Sequence, residues 1–532
     1  MASMNIDPIT AEIVKSSLVY ASEEMGIAVR NSAYSPNIKE RLDHSCALFD
    51  RHARLIAQAE HIPVHLGSLP WGLRATLAVI EREYGGVRPG EMWVVNDPYI
   101  SGTHLNDVTV IRPIFFRGVL AGYAANKAHH TDVGGMVPGS MSAEAGDLFA
   151  EGLVMPPARL VKDDRSVEST IALFRANSRT PEARSGDLRA QTAGNYTGER
   201  RFLELYERYG ANVVEAAIER LLNDSEIRMR AALRDLGEGT YDRRDVLEDR
   251  DGKPSIDLQV RFTLSNGSAR FDYSGTAAQL DFPMNAVYGV TLSGVYYALR
   301  AVTDPTIPMN DGCFRPVEVF VPEGTLLNPR RPAPVSGGNV ETSTRNADLV
   351  LGALAQAAPD RVPASSGGTM SNVMIGGTRE DGSTWAFYET NGCGMGARPT
   401  MDGIDGIQCH MTNTLNTPIE AIERDYPLRV TRYEFAEGTG GRGSFRGGNG
   451  LIRALTLVSG TARVSLLAER HAVAPQGARG GGDGACGKHT LQRADGSQKN
   501  IGAKASFAFA PEETIVVQTP GGGGYGVGDG TT

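Results

Sequence analysis

No C-x-x-C pair, no run of lysines and arginines, and no stretch of roughly 20 apolar residues occurs in this 532-residue chain. Each absence excludes a class. Without a long apolar run there is no transmembrane helix to place. With a net charge of −9 and no basic stripe, there is no electrostatic footprint for nucleic acid. The five cysteines (Cys46, Cys313, Cys393, Cys409 and Cys486) are odd in number and widely spaced, and the N-terminus is polar rather than leader-like, so the expectation is a reduced, cytoplasmic protein. The phosphate-loop pattern G-x-x-x-x-G-K-[ST] is missing as well. The glycine clusters at 438–450, 477–484 and 521–526 lack that form and do not fall cleanly between a strand and a helix, so they read as structural turns, and the chain shows no recognisable ATP site of its own. No fixed-period repeat is present.

What is present is ordinary in bulk and uneven in detail. A chain 41% hydrophobic and 22% charged is a soluble globular one, long enough for two to four domains. Its 63 glycines are nearly twice the usual share of roughly 7%, and they crowd toward the C-terminal half, where turns and close backbone approaches imply β structure.

Asp7-Pro8 opens a helix as cap and first turn, with Ile9, Ile13, Leu18, Ala21, Met25 and Ala28 as its apolar stripe. Cys46, Leu48 and Phe49 lead through Asp50 into a short hairpin before Leu55 and Ile56. A helix runs from Ser68 and Pro70 to Tyr84 and stops at Gly85-Gly86. Residues 138–159 are irregular, and 197–236 are helical with a break at Gly210 and a stop at Gly237. The period then changes: Ile256, Leu258, Val260, Phe262 and Leu264 alternate, Asn266-Gly267 turns the chain, and Ala269, Phe271 and Tyr273 alternate back. Helices follow near 287–302 and 345–358, then short strands between glycine-rich turns from about 430. The fold expected is mixed α+β and multidomain: an α/β N-terminal domain over 1–240, a central α/β domain over 241–430, and a glycine-rich β domain over 431–532.

Seven of the ten histidines, His44, His52, His61, His65, His104, His129 and His130, lie in the first quarter of the chain. In Asn96–Gly135, Val108, Val110 and Ile111 pair with Val119, Leu120 and Tyr123 about an Arg117-Gly118 turn. Folding back there brings His104 and Asp107 opposite His129 and His130, two imidazoles and a carboxylate at one strand end. Such a set accepts a divalent metal of the zinc, manganese or iron type and leaves positions open for water or substrate. A one-residue register slip exchanges the faces, so pairing alone leaves His129 and His130 as alternatives. Asp97 and Asp132 are candidates for further ligands or for groups that orient the imidazoles. His61-x-x-x-His65 has helical spacing, but Pro63 between them argues against a zincin helix. Asp43, His44 and Ser45 make a triad by composition only, with no nucleophile elbow.

Several ordered segments carry a resemblance: DPITAEIV, AYSPNIKERLDHSCALFD, AQAEHIPVHLGSLP, NDPYISGTHLNDVTV, AHHTDVGG, EGLVMPP, FDYSGTAAQ, MTNTLNTPIEAIERDYPL and TPGGGGYG. Together they make the chain resemble the hydantoinase B/oxoprolinase family over nearly its whole length. The resemblance implies the B-type subunit of an ATP-dependent cyclic amide hydrolase, a hetero-oligomer in which an A-type partner of actin-like ATPase fold binds ATP and magnesium while the B-type subunit supplies a metal site. It implies opening of a small hydantoin or lactam ring after ATP-dependent activation of the amide carbonyl. The alternative within the same resemblance is the matching subunit of an acetone- or acetophenone-type carboxylase. Carried over, the metal ligands fall on His104, Asp107 and His129, and Asp43, His65 and Glu40 become candidates for the general base or for substrate hydrogen bonds.

Overall fold

The computed structural model describes residues 6–59 and 61–528. Helix α1 (Pro8–Ser32) begins where the Asp7 carboxylate accepts the Thr10 N–H at 2.9 Å, and the short α2 (Pro36–Lys39) follows. Strands β1 (His44–Asp50) and β2 (Leu55–Gln58) form a hairpin. Then come α3 (His65–Tyr84), β3 (Met92–Val95), the turn-long α4 (Pro98–Ser101), β4 (Asp107–Phe116) and β5 (Val119–His129). Between β4 and β5, Arg117 (φ 50) and Gly118 (φ 81) are both left-handed, the two-residue turn that right-twisted antiparallel strands prefer. With β6 (Ala158–Lys162) and β7 (Arg165–Ser166) these strands make a seven-stranded sheet in the order β2-β1-β5-β4-β3-β6-β7. Helices α5 (Glu168–Ala176), α6 (Pro181–Tyr209) and α7 (Ala211–Asp235) complete the first part, the last two divided at Gly210.

A second, four-stranded sheet holds β8 (Gly239–Glu248), β9 (Pro254–Ser265) and β10 (Ser268–Asp272), with α8 (Tyr288–Val302) and α9 (Asp311–Phe314) leading to β11 (Val317–Phe320), which pairs parallel to β10. A π-helical turn, Gly338–Thr342, runs into α10 (Ser343–Ala357). Strands β12 (Asn372–Thr378) and β13 (Thr384–Glu389) precede α11 (Ile419–Asp425), and β14 (Leu428–Ala436), β15 (Gly450–Leu457), β16 (Thr461–Leu467), β17 (Lys488–Gln492), β18 (Gln498–Asn500), β19 (Lys504–Phe509) and β20 (Thr514–Gln518) finish the chain. Two further sheets result, β13-β12-β16-β19 and β14-β15-β20-β17-β18. Strand pairing therefore crosses residue 430, because β12 takes β16 as its neighbour along its full length.

The large sheet has two buried faces. One carries Cys46, Leu48, Ala124 and Ala128 against α1, α6 and α7. The other carries Ala47, Phe49, Ile111, Tyr123 and Ala125 toward a core shared with α3, α8 and α10. The stripe that α1 buries is Val14, Leu18, Ala21, Met25 and Val29. Ile9 (71% exposed) and Ile13 (43%) face solvent, because the helix is oriented by contacts with α6 and α7 that local periodicity does not report. Helix α3 starts at His65, ahead of the expected Ser68, and takes in Pro70. Its extra turn is capped from a distance: the Ser293 hydroxyl of α8 accepts the N–H groups of Gly67 (2.9 Å) and Ser68 (3.0 Å) and donates to Val64 O (2.6 Å).

In the C-terminal part, the glycine clusters pack on one another as bare backbone. A Cβ at Gly447 would lie 2.0 Å from Gly522 O, and one at Gly441 2.2 Å from Gly482 O. Gly441 N donates to Gly522 O and Gly524 N to Gly482 O. The clusters are structural, as their lack of phosphate-loop form implied. Among the described residues no helix is long and apolar enough to cross a membrane.

Candidate metal centre

The β4–β5 register sets Asp107 directly opposite His129. His104 sits one turn before Asp107, which donates its backbone N–H back to His104 O at 3.1 Å. The consequence is a tight group. His104 Nε2 is 3.2 Å from His129 Nδ1 and 3.3 Å from Asp107 Oδ1, and His129 Nδ1 is 3.5 Å from the same oxygen. All three residues are buried, with one ligating atom from each within 4.8 Å of the others.

The pleat separates His129 from His130. Asp107, His129 and Lys127 share one face of the sheet; His130 turns to the other, where its Nε2 meets Gln191 Oε1 of α6 at 2.9 Å. The backbone around His129 is pinned from both sides, its N–H donating to Asp43 O (3.0 Å) and its C=O accepting Asn37 Nδ2 (2.7 Å). The Tyr388 ring of β13 stacks on the His129 ring at 4.6 Å and 10°, and Arg41 lies 4.8 Å over the Tyr388 ring while donating to Thr390 Oγ1. The imidazole plane is thereby fixed.

Burial raises the Asp107 carboxyl, but His104, His129 and His65 outweigh it and hold the group well below the usual carboxylate range. Burial also lowers the His129 ring, against the pull of Asp107 and Asp43, and so favours the neutral imidazole. The donor set fits a divalent cation. Two buried imidazole nitrogens face each other beside a carboxylate oxygen, and a cation at their common point would take both lone pairs and balance the negative charge. The outer nitrogens, His104 Nδ1 and His129 Nε2, have no hydrogen-bond partner among the described residues, a departure from the outer-shell support usual around metal-bound histidines.

Of the other candidates, Asp43 and His65 flank the group. Asp43 Oδ2 is 4.0 Å from His129 Nδ1 and His65 Nε2 is 3.5 Å from Asp107 Oδ2. His65 Nδ1 is in turn bonded to Ser45 Oγ at 2.8 Å. Glu40 stands apart. The turn of α2 directs Asn37 and Arg41 inward, leaving Glu40 half-buried with its charge toward that of Arg424. Asp97 and Asp132 also serve elsewhere, as loop organisers rather than as ligands or imidazole partners. Asp97 caps α4 and pairs with Arg331; Asp132 accepts the N–H groups of Gly134, Gly139 and Arg179 and the Arg179 guanidinium. Their short carboxylates satisfy nearby backbone donors. His61 packs against the His44 ring at 4.9 Å, away from the centre.

Three neighbours escaped the sequence reading. Asn339, from the π-helical turn, lies 3.5 Å from Asp107 Oδ2, and Tyr388 arrives from β13; neither has a local signal. Lys127 did have one, the strand period of two that puts it on the His129 face. It is fully buried, donates to Ser101 O (2.8 Å) and Thr103 Oγ1 (3.0 Å), and is pushed down to about 7 by burial.

The hydantoinase B/oxoprolinase family profile matches residues 7–528. An uncharacterised protein of Methanocaldococcus jannaschii is 46% identical over 98% of this chain and 91% of its own. A protein of Pseudomonas sp., named as the B-type subunit of a putative D-/L-hydantoinase, is 33% identical, over 98% and 90%. The 5-oxoprolinase of Dictyostelium discoideum is 34% identical over 98% of this chain, which spans only 41% of that longer protein. Among solved structures, the ATP-dependent caprolactamase from Pseudomonas jessenii superposes with a TM-score of 0.91 at 30% identity, covering 98% of this chain and 92% of its own. A nucleotide-free acetone carboxylase shares the fold alone, with a TM-score of 0.89 at 18% identity over 98% and 76%.

Proposed function

This chain belongs to the hydantoinase B/oxoprolinase family, and from that premise we propose that it is the metal-bearing B-type subunit of an ATP-dependent hydrolase that opens a hydantoin or lactam ring. The observation that carries the reading is the buried His104–Asp107–His129 group. A cation held there supplies Lewis acidity toward a carbonyl oxygen or water.

The protein's own groups do the rest. The stacked Tyr388 and the Asn37 bond keep the His129 ring in one orientation. His65, oriented by Ser45, and Asp43 are the groups placed to accept or return a proton beside the centre. Burial on every side excludes bulk water and strengthens each of these interactions. Glu40, without a contact to the group, is assigned no part.

Ring opening needs an activated carbonyl, because an unstrained amide is a poor electrophile. We assign that activation, at the expense of ATP, to an A-type partner. The lack of a phosphate-loop motif supports the division, as does the naming of the Pseudomonas sp. hydantoinase relative as one subunit of an enzyme. So does the greater length of the 5-oxoprolinase, in which the region matched by this chain is under half of the protein. The similarity to caprolactamase supports a cyclic amide as substrate.

The test is co-expression with an A-type ATPase, followed by a panel of hydantoins and lactams with ATP and zinc, manganese or iron(II). Ring opening coupled to ADP release by the pair alone is the expected result. Lactam-dependent ATP turnover by the isolated chain would overturn the division of labour. ATP turnover by the pair only with a ketone and bicarbonate would replace the hydrolase with the carboxylase.

A further inference from the structure

The metal centre leaves two neighbouring thiols unused. Cys393 and Ile407 form an antiparallel bridge, each N–H donating to the other's C=O at 2.9 Å, and Cys409 follows shortly after on the second segment. Both cysteines bear on one dipeptide. A Cβ on Gly367 would lie 2.5 Å from Cys393 Sγ, and the Ser366 hydroxyl acts on the Cys409 thiol. The bridge sets Cys409 diagonally across from Cys393, the two thiols act on each other, and both are free; the Cys409 thiol donates to Ile407 O at 3.6 Å.

The pair is asymmetric in access and in charge. Cys393 is buried and Cys409 is half-buried. Cys393 lowers the Cys409 thiol against the effect of burial, and His410 adds to the lowering. Asp348, whose Oδ1 lies 3.0 Å from His410 Nε2, raises the His410 ring against the effect of burial. Cys393 is raised by Cys409 and by burial. An accessible thiolate-prone cysteine backed by a buried one is the arrangement of a nucleophile and its resolver.

We infer that Cys393 and Cys409 are a redox-active dithiol, a modification site for low-molecular-weight disulfides. Cys409 sulfur attacks one sulfur of the small disulfide, whose S–S bond breaks and releases one small thiol. Cys393, giving up its proton, then attacks the Cys409 sulfur of the mixed disulfide and releases the second. The protein pair is oxidised by two electrons and the small disulfide is reduced to two thiols.

The site is coupled to the centre by short stretches of chain. Cys393 follows closely on Tyr388, whose ring stacks on His129. Cys409 closely precedes Met411, whose C=O accepts the Val64 N–H (3.1 Å) at the head of the helix that carries His65. A bond between the two cysteines ties these segments together.

The test uses the full chain and oxidised glutathione, and needs neither partner nor substrate. Thiols counted after denaturation should fall from five to three, a single peptide pair joining Cys393 to Cys409 should appear on mapping, and reductant should reverse both. In Cys393→Ser the reaction should stop at glutathione attached to Cys409. In Cys409→Ser, Cys393 should stay unmodified, and circular dichroism reports whether each variant folds. Retention of all five thiols by the wild type, a bond to any other cysteine, or modification of Cys393 when Cys409 is serine overturns the inference. Because the wild-type map decides alone, a variant that fails to fold does not rescue it.

Discussion

Replacing Asp107 by asparagine keeps the shape of the side chain and removes one negative charge from a buried site. In the wild type that charge sits within 3.3–3.5 Å of two imidazole nitrogens that share its burial. A divalent cation held by the three groups would form with Asp107 a buried ion pair, and removal of one member of such a pair costs about 3–5 kcal/mol, since the remaining charge is left uncompensated. At about 1.4 kcal/mol per decade this is a loss of roughly 10²- to 10³-fold or more in metal affinity. The assay is calorimetric titration of the metal-stripped chain with zinc and with manganese, alongside elemental analysis after dialysis. Asp132→Asn is the control. It removes a buried carboxylate that organises a loop, so it should lower the melting temperature and leave metal affinity alone. Retention by Asp107→Asn of affinity within a few-fold of wild type, or equal losses in both variants, would refute the three-residue centre.

Ser293→Ala should destabilise the protein by about 1–3 kcal/mol in urea titration, because it strips the Gly67 and Ser68 N–H groups of their buried acceptor, while Val64 O keeps the Ser68 hydroxyl. Burial holds the His44 ring down at about 3 and the His61 ring at about 4. Between those values and the usual imidazole range near 6.5 the unfolded chain binds more protons than the folded one, so stability should rise with pH from about 4 to 6.5 and then level off. Melting curves across this range, shallower in His44→Asn, check the sign. Gly447→Ala should reduce soluble yield or lower the melting temperature sharply, because its Cβ meets backbone atoms, including Gly522 O at 2.0 Å, rather than a side chain that can turn aside.

The parts of the fold that were legible in the sequence are those whose partners are near in the chain. The hairpins at 107–129 and 254–272 announce themselves through alternation and a two-residue turn. Because the first brings Asp107 opposite His129, the gathering of a carboxylate and imidazoles at one strand end could be anticipated. The choice between His129 and His130 was not legible from spacing, since register decides the face. The rest depended on contacts across the chain. Tyr388, Asn339 and Ser293 come from elements that no local pattern connects to the centre or to α3. The α1 stripe was right at Leu18, Ala21 and Met25 but wrong at Ile9 and Ile13 for the same reason, its orientation being set by α6 and α7. Asp97 and Asp132 misled in a different way: a carboxylate in a glycine-rich loop has backbone donors at hand, and these are satisfied before an imidazole further off.

The order of the five-stranded sheet has a consequence for synthesis. Its middle strand, β20, is the last of the five in sequence, and the glycines just beyond it lace between the loops near 395 and 441. On the ribosome, therefore, the β14–β15 and β17–β18 hairpins emerge with facing edges that have no neighbour. Until residues 514–525 are released, that sheet is two separate ribbons, since its central strand has yet to emerge.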